Sequence, residues 1–384
     1  MANRPQRRAK GAGSVRQRTQ GSWQLRYDGP PDPSGEPTKI AETVRGSRRD
    51  AERVLRERVG AVENGCYVPR STQSVAEFMR RWLDTYVATN TTLRTQQGYR
   101  ANIKRMATVI GNIQLAGLQP QQIQKMYADM LDTGLSARTV LHTHRVLREA
   151  LAHAVKWGVL ARNPTDAVDP PRPERKTLEM WDTETIDTFL EATEGIQFGD
   201  LYRFAILTGM RRSEVTGLKW QRVDLNNGKL SVVATLQRIV GKGLVEGQPK
   251  TGRSRRVIAL SRTAVTLLHK IRGQQLENRL KSGPVWQETG YVFTQIDGTP
   301  VDPDRISRAF AHFVRDAELP HLTFHGLRHA HATLMLSAGV HPKVVSERLG
   351  HSNIAITMDT YSHVLPDLQE AAAEAIDDQL YGHA

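Results

Sequence analysis

From residue 75 to residue 157 apolar side chains recur every three or four positions. Val75, Phe78, Trp82 and Tyr86 form one such stripe, the spacing that turns one side of a helix toward a core. Residues 93–106, 121–132 and 137–157 repeat it, so the pattern predicts a bundle of helices whose core takes Tyr99, Ile103, Met126, Tyr127, Leu147, Leu151 and Trp157. Ahead of the bundle the period drops to two. Residues 14–18 and 22–27 read as strands, with Trp23, Leu25 and Tyr27 alternating with polar neighbours. A turn-rich stretch at 28–35 leads to a third strand at 38–44. Ser47 then caps a helix in which Ala51, Val54, Leu55 and Val59 share a face. A small sheet backed by one helix fits this region.

After the bundle, residues 163–177 hold four prolines and several charges, the composition of an interdomain linker. Such a connection would let modules sit on opposite faces of a double helix. Helical periodicity resumes at 182–193 and 202–208, turns at Gly209, and continues at 211–218. Residues 230–236 and 255–260 read as strands joined across a glycine-rich excursion that contains Pro249-Lys-Thr-Gly252. Helices follow at 264–280, 303–317, 327–338 and 344–349. The expectation is a multidomain chain: a small α+β amino-terminal domain, a helical domain, and a mainly α domain with a small antiparallel sheet. No βαβ series or nucleotide-binding glycine motif calls for a dinucleotide fold.

A length of 384 residues also implies two or three cores. Charge narrows the partner. The chain has 53 Lys and Arg against 40 Asp and Glu, and residues 1–60 alone carry 14 against 7, so a net +7 of the total +13 sits at the amino end. That excess favours a polyanion, although charge alone leaves open a solubilising tail or an RNA binder. Arg16, Arg18 and Arg26 on the small sheet would contact DNA or form a solvated basic face. Arg94, Arg100, Lys104, Arg105, Arg138, Arg145 and Lys156 on the helices would follow a duplex or be scattered surface charge. Cys66 is the sole cysteine, which excludes an intrachain disulfide and every multi-cysteine zinc module. With no long apolar run and no apolar segment after the basic start, a soluble, cytoplasmic protein without membrane association is expected.

The chemistry lies in three clusters: 207–214, His325-Gly-Leu-Arg328, and a third from Gly350-His351 to Asp359-Thr-Tyr361. Arg211 and Arg328 can each hold phosphoryl oxygens bidentately at any ordinary pH. His325 precedes Arg328 by about one helical turn, so both would reach one phosphate if their helix starts at the site. The Tyr361 hydroxyl can attack phosphorus if its ionisation is assisted. A loop between Gly350 and Tyr361 would let the tyrosine move. Met358 is the expected packing residue of the helix that bears it. Arg212 should face away from Arg211, as a structural or DNA-contacting residue. His325, His329 and His331 lack an acidic companion and the spacing of a zinc helix, so no metal is expected.

Thr208-Gly-Met-Arg211-Arg-Ser-Glu214, Lys250-Thr-Gly252, His325-Gly-Leu-Arg328, Leu349-Gly-His351-Ser and Thr357-Met-Asp-Thr-Tyr361 together resemble the tyrosine recombinase family, specifically phage and integrative-element integrases. The resemblance covers about 175–365. It implies a catalytic set of Arg211, Lys250, His325, Arg328, His351 and Tyr361, with Tyr361 the nucleophile, Lys250 the acid for the leaving 5′ oxygen, and Glu214 supporting the arginines. It further implies a domain order of arm-DNA-binding domain (1–66), core-DNA-binding domain (67–162), linker (163–177), catalytic domain (178–366) and subunit-docking tail (367–384). The short apolar face of Leu368, Ala371, Ala372, Ala375, Ile376, Leu380 and Tyr381 would dock on another subunit or fold back on its own domain. The implied partners are double-stranded attachment sites with arm-type and core-type sequences, a tetramer on two duplexes, a host DNA-bending protein and an excision factor, all on bacterial chromosomal DNA. A 3′-phosphotyrosine link conserves the bond energy, so no cofactor is needed. A catalytically idle architectural protein would not need this residue set. A topoisomerase would share the covalent step, and a metallonuclease would need an acidic cluster.

Overall fold

The structure is a computed structural model that describes residues 13–31, 34–65, 67, 72–174, 181–249, 254–351, 353–361, 376–377 and 380–381, with backbone alone at 356 and 359–361. The chain divides into two compact units, Met1–Arg175 and Lys176–Ala384.

The first unit opens with an antiparallel sheet of β1 (Ser14–Thr19), β2 (Ser22–Pro31) and β3 (Pro37–Arg45) in that order. Val15 pairs with Leu25, and Tyr27 with Ile40. Because alternate residues share a face, this register collects the apolar side chains against α1 (Arg48–Glu63), where Leu25, Tyr27, Ala51 and Leu55 are buried together. Ser47 caps α1 as its sequence predicts: its hydroxyl accepts from Asp50 N, and the Asp50 carboxylate accepts from Ser47 N.

The helices follow the predicted periodicity. They are α2 (Val75–Trp82), running through a π turn at Leu83–Val87 into the short α3 (Ala88–Asn90), then α4 (Leu93–Ile110), α5 (Pro120–Asp132) and α6 (Ala137–Lys156). Side-chain caps at Ser74, Thr92 and Ser136 start three of them. Phe78, Trp82, Ile103, Met126, Tyr127, Leu147 and Leu151 fill the core. Trp157 departs from expectation. It follows the last turn of α6, is 41% exposed, and stacks on His153 rather than entering the core. Tyr99 is half-buried because its hydroxyl reaches out to Glu149, 2.6 Å away. Part of the stretch read as a linker is also docked here. Pro164–Ala167 forms a 3-10 turn with Pro164 and Thr165 buried, Arg148 pairs with Asp166, and Gln124 exchanges two hydrogen bonds with Asp169.

The second unit contains α7 (Thr183–Ala192), α8 (Gly199–Thr208), α9 (Arg212–Thr216), α10 (Arg262–Ser282), α11 (Pro303–Asp316), α12 (Phe324–Ser337), α13 (Pro342–Leu349) and α14 (Ile354–Tyr361). Phe189, Tyr202, Phe310 and Phe324 meet edge to face in its core. A small antiparallel sheet has the order β4 (Val223–Asp224), β5 (Lys229–Val232), β8 (Arg256–Ala259). The run 230–236, expected as one strand, is two. After β5 the chain breaks at Val233 and Ala234, and β6 (Thr235–Ile239) leaves to pair with β7 (Gly243–Gly247) as a separate hairpin. Hydrophobic alternation reports burial and is blind to a change of pairing partner. The expected loop ahead of Tyr361 is instead largely helix, α14.

Candidate active site

The site begins where α8 stops. Gly209 holds a left-handed conformation, φ 65°, and a Cβ there would lie 2.5 Å from the His331 ring, so only glycine fits. Two residues on, Arg211 is the N-cap of α9. Its backbone N donates to Glu214 Oε2 at 2.9 Å and its Nη1 to Oε1 at 2.8 Å. Its Nη2 donates to the Gly350 carbonyl at 3.0 Å.

Glu214 is buried and shared. Arg256 on β8 donates Nη2 to Oε2 at 2.9 Å and Nη1 to Oε1 at 3.2 Å. Burial alone would raise the Glu214 pKa, but the hydrogen bonds and charge of Arg256, followed by the charge of Arg211, outweigh it and hold the carboxyl below its usual range. Two guanidiniums around one carboxylate leave one net positive charge, and Arg211 keeps 33% of its side-chain surface open to receive an anion.

Arg328 sits on the first turns of α12, whose start is capped by Thr323. It is 3% exposed, and donates Nη1 to Gly209 O at 2.8 Å and Nη2 to Leu349 O at 2.7 Å. Arg211 and Arg328 thus hold consecutive carbonyls, those of Gly350 and Leu349, at the end of α13. Gly350 itself is left-handed, φ 68°, and ends the helix. The next residue, His351, bonds through Nδ1 to Thr357 Oγ1 at 2.8 Å, and Thr357 is fully buried on α14. One helical turn later α14 ends at Tyr361. Met358, expected to pack this helix, is 39% exposed, because Thr357 faces inward in its place.

His325 opens α12 one turn before Arg328 and lies 4.9 Å, ring to ring, from His329. Solvent still reaches it, yet the protein crowded around it, followed by His329, Arg328 and Arg211, pushes its pKa down to about 4. His351 is likewise pushed to about 4, by burial and then by Arg328 and Arg211. Both imidazoles are therefore neutral at pH 7, each able to donate from one nitrogen and accept at the other. Lys250 lies outside the described residues, as does the side chain of Tyr361.

Three residues of this region, the half-buried Arg256 and Arg348 and the buried His331, carry no signal in the motifs. Arg348 donates to His331 Nε2 at 3.0 Å and to Ala259 O at 2.9 Å, and His331 Nδ1 lies 2.7 Å from Ile206 O. They stitch α8, α12, α13 and β8 together beneath the site. Strand alternation puts Arg256 on the face of the buried Ile258, which is the one sequence clue to it. Arg212 points elsewhere, to Asp304 at 3.1 Å and to Ser307, and is structural.

The basic candidates of the first unit are on its surface. Arg16 and Arg26 lie on the sheet face opposite α1, and Arg18 falls in the bulge between Gln17 and Thr19. Arg94, Arg100, Lys104, Arg138, Arg145 and Lys156 are exposed, while Arg105 is half-buried against Asn102. On α6, spacings of seven and eleven residues align Arg138, Arg145 and Lys156 in one stripe.

Residues 179–367 match the Phage integrase family, and residues 74–131 match the phage integrase N-terminal SAM-like domain. A XerC-like tyrosine recombinase of Caldanaerobacter subterraneus subsp. tengcongensis is 30% identical over 86% of this chain and 90% of its own length. The ICEBs1 integrase of Bacillus subtilis is 29% identical over 68% of this chain and 71% of its own. Among solved structures, the Tn1549 transposon integrase in complex with a circular intermediate DNA superposes with a TM-score of 0.67 at 21% identity, covering 79% of this chain and 99% of that one. A lambda integrase tetramer bound to a Holliday junction gives 0.59 at 16% identity, covering 92% and 96%. By these likenesses the chain belongs to the phage integrase family of tyrosine recombinases.

Proposed function

We propose that this protein is the integrase of a phage or another mobile element, a site-specific recombinase that exchanges DNA strands through a 3′-phosphotyrosine. One observation carries this reading. Arg211 and Arg328 grip consecutive carbonyls at the turn that launches the tyrosine helix, so the groups that hold phosphate and the element that delivers the nucleophile share one support. In the proposed reaction the Tyr361 oxygen bonds to phosphorus, its proton passing to a neutral imidazole, His325 or His351. The bond from phosphorus to the 5′ oxygen breaks, and Lys250 gives that oxygen a proton. The arginines stabilise charge on the non-bridging oxygens as it builds. Attack by a partner strand's 5′ hydroxyl reverses the step and completes exchange. Glu214 supports by orienting Arg211.

Residues 1–66 would bind arm-type sites through Arg16, Arg18 and Arg26. Residues 67–162 would bind core-type sites through the α6 stripe with Arg94, Arg100, Lys104 and Arg105. Residues 163–177 would connect them to the catalytic domain, 178–366. The tail, 367–384, would dock on a neighbouring subunit; of it, Ile376, Leu380 and Tyr381 are described and exposed. A tetramer on two duplexes is the working form, as in the lambda integrase assembly on a Holliday junction, with a host DNA-bending protein and an excision factor as its accessory partners. Incubation with the element junction and its target, then sequencing of both product junctions, tests this. Site-specific exchanged junctions are expected, and relaxed plasmid without them would favour a topoisomerase.

A further inference from the structure

The C-terminal end of α13 is held by arginines at three consecutive carbonyls. Arg256 Nε donates to Arg348 O at 2.5 Å, Arg328 Nη2 to Leu349 O at 2.7 Å, and Arg211 Nη2 to Gly350 O at 3.0 Å. The last carbonyls of a helix have no partner within it, so the place where α13 ends decides where these guanidiniums are anchored. The side chain of Arg348 fixes that end. Its Nη1 donates to Ala259 O on β8 at 2.9 Å, its Nε to His331 Nε2 on α12 at 3.0 Å, and its Nη2, more loosely, to Leu207 O on α8 at 3.4 Å. A guanidinium only donates, so His331 accepts at Nε2 and carries its proton on Nδ1, which lies 2.7 Å from Ile206 O. Burial, then the charge of Arg348, keeps this imidazole neutral. The same ring lies against Gly209, whose carbonyl takes Arg328 Nη1. All three partners of Arg348 are uncharged, and burial, followed by the charge of Arg256, lowers its pKa. A half-buried cation held without a carboxylate is an unfavourable way to fill a core. What it supplies is direction, because the planar fork sets its acceptors in fixed positions.

We infer that His331 and Arg348 are a positioning pair that aims Arg211 and Arg328 at the scissile phosphate. The inference rests on the reading of those two arginines as the groups that stabilise charge on its non-bridging oxygens. His331 directs Arg348, Arg348 sets the end of α13, and the Leu349 and Gly350 carbonyls set the guanidiniums. Neither member of the pair acts on DNA itself. A misplacement of about 1 Å can cost on the order of 100-fold in rate. Losing the pair therefore slows cleavage, while binding, which many phosphate contacts share, stays almost unchanged.

The test uses the full chain and nicked suicide duplexes of its element junction, one with the ordinary scissile phosphodiester and one with a methylphosphonate there. The methylphosphonate replaces a charged non-bridging oxygen with a methyl group, so its cleavage depends far less on well-aimed arginines. His331→Phe keeps a ring and removes both nitrogens, and Arg348→Met keeps an apolar stem and removes the fork. Each should bind core-site DNA as wild type does, cleave the phosphodiester at least about tenfold more slowly, and regain most of that loss on the methylphosphonate. Arg348→Lys, which keeps the charge without the fork, should show the same pattern and serves where either of the first two fails to fold. His331→Gln returns an acceptor to Arg348 and should recover most of the phosphodiester rate. Arg211→Ala and Arg328→Ala, run alongside, should also lose most of their deficit on the methylphosphonate. Pair variants that bind DNA normally yet are equally slow on both substrates, or unimpaired on the phosphodiester, would overturn the positioning role. So would a His331→Gln protein no faster than His331→Phe. If the arginine variants keep their full deficit on the methylphosphonate, the charge-stabilising assignment fails and the role of the pair fails with it. If they lose it while the pair variants behave as wild type, only the positioning role is lost.

Discussion

Arg256 donates both of its terminal nitrogens to Glu214, at 2.9 and 3.2 Å, from a strand 42 positions further along the chain. The same carboxylate orients Arg211 on its other side, at 2.8 Å. Arg211 is thus set by a second arginine whose side chain is itself nearly sealed from solvent.

Arg256→Met should therefore act at a distance. It leaves Glu214 with one cation in place of two, and breaking a buried pair costs about 3 kcal/mol or more. Denaturant unfolding should show that loss, and single-turnover cleavage should fall with Arg211 itself unaltered. A variant with wild-type stability and wild-type cleavage would mean that the pair supports nothing.

Changing Arg211 or Arg328 to Ala should slow cleavage far more than it weakens DNA binding. Losing one charged transition-state donor costs roughly 3–4 kcal/mol, on the order of 100-fold to 1000-fold in rate. Arg328→Ala should in addition destabilise the unit, because it removes the donors to Gly209 and Leu349. Matched single-turnover and binding assays decide the point, and near-normal cleavage by either variant would remove that arginine from the set.

His331 makes stability depend on pH. Burial, then Arg348, pushes its folded pKa down to about 4, below the unfolded value near ~6.5. Above that unfolded value both states are neutral. Between the two values the unfolded chain takes up a proton that the folded chain resists, so stability falls as pH drops from about 6.5 toward 4, by up to about 3 kcal/mol from this group. His331→Gln should flatten the slope of unfolding free energy across that window. An unchanged slope would assign the acid sensitivity elsewhere.

Tyr361→Phe should bind core-site DNA and form no covalent adduct, since only the hydroxyl is lost. On a nicked suicide substrate the wild type should leave protein on the 3′ phosphate. Undiminished linkage in the variant, resolved under denaturing gel conditions, would place the nucleophile at another residue.

The helices were legible from their apolar stripes, and at Ser47 from a capping side chain as well. The arginines, histidines and tyrosine were legible as motifs because their spacing is local. What failed was information carried by partners far along the chain. Arg256 looks like an ordinary strand residue until Glu214 is opposite it, and 230–236 looks like one strand because both of its halves are apolar. The loop expected between Gly350 and Tyr361 is shorter than read, because α14 already begins at Ile354.

A fragment beginning near Ser71 should keep core-site cleavage and lose efficient recombination between full attachment sites. The sheet and α1 have their own core, Leu25, Tyr27, Ala51 and Leu55, while Phe78, Trp82, Met126 and Leu147 belong to another. Removing the first should therefore leave the second packed. The deletion also takes away residues 1–60 with their net +7, and phosphate contacts dominate DNA affinity and its salt dependence. Binding to arm-type DNA should collapse and the salt slope of what remains should be shallower. Cleavage of the core suicide substrate should persist, because Arg211, Lys250, His325, Arg328, His351 and Tyr361 are all retained. Equal arm binding and equal recombination by fragment and full chain would show that the amino-terminal sheet does not bridge sites. Loss of core cleavage in a fragment that still folds, judged by circular dichroism, would put part of the core-binding surface within the first 70 residues.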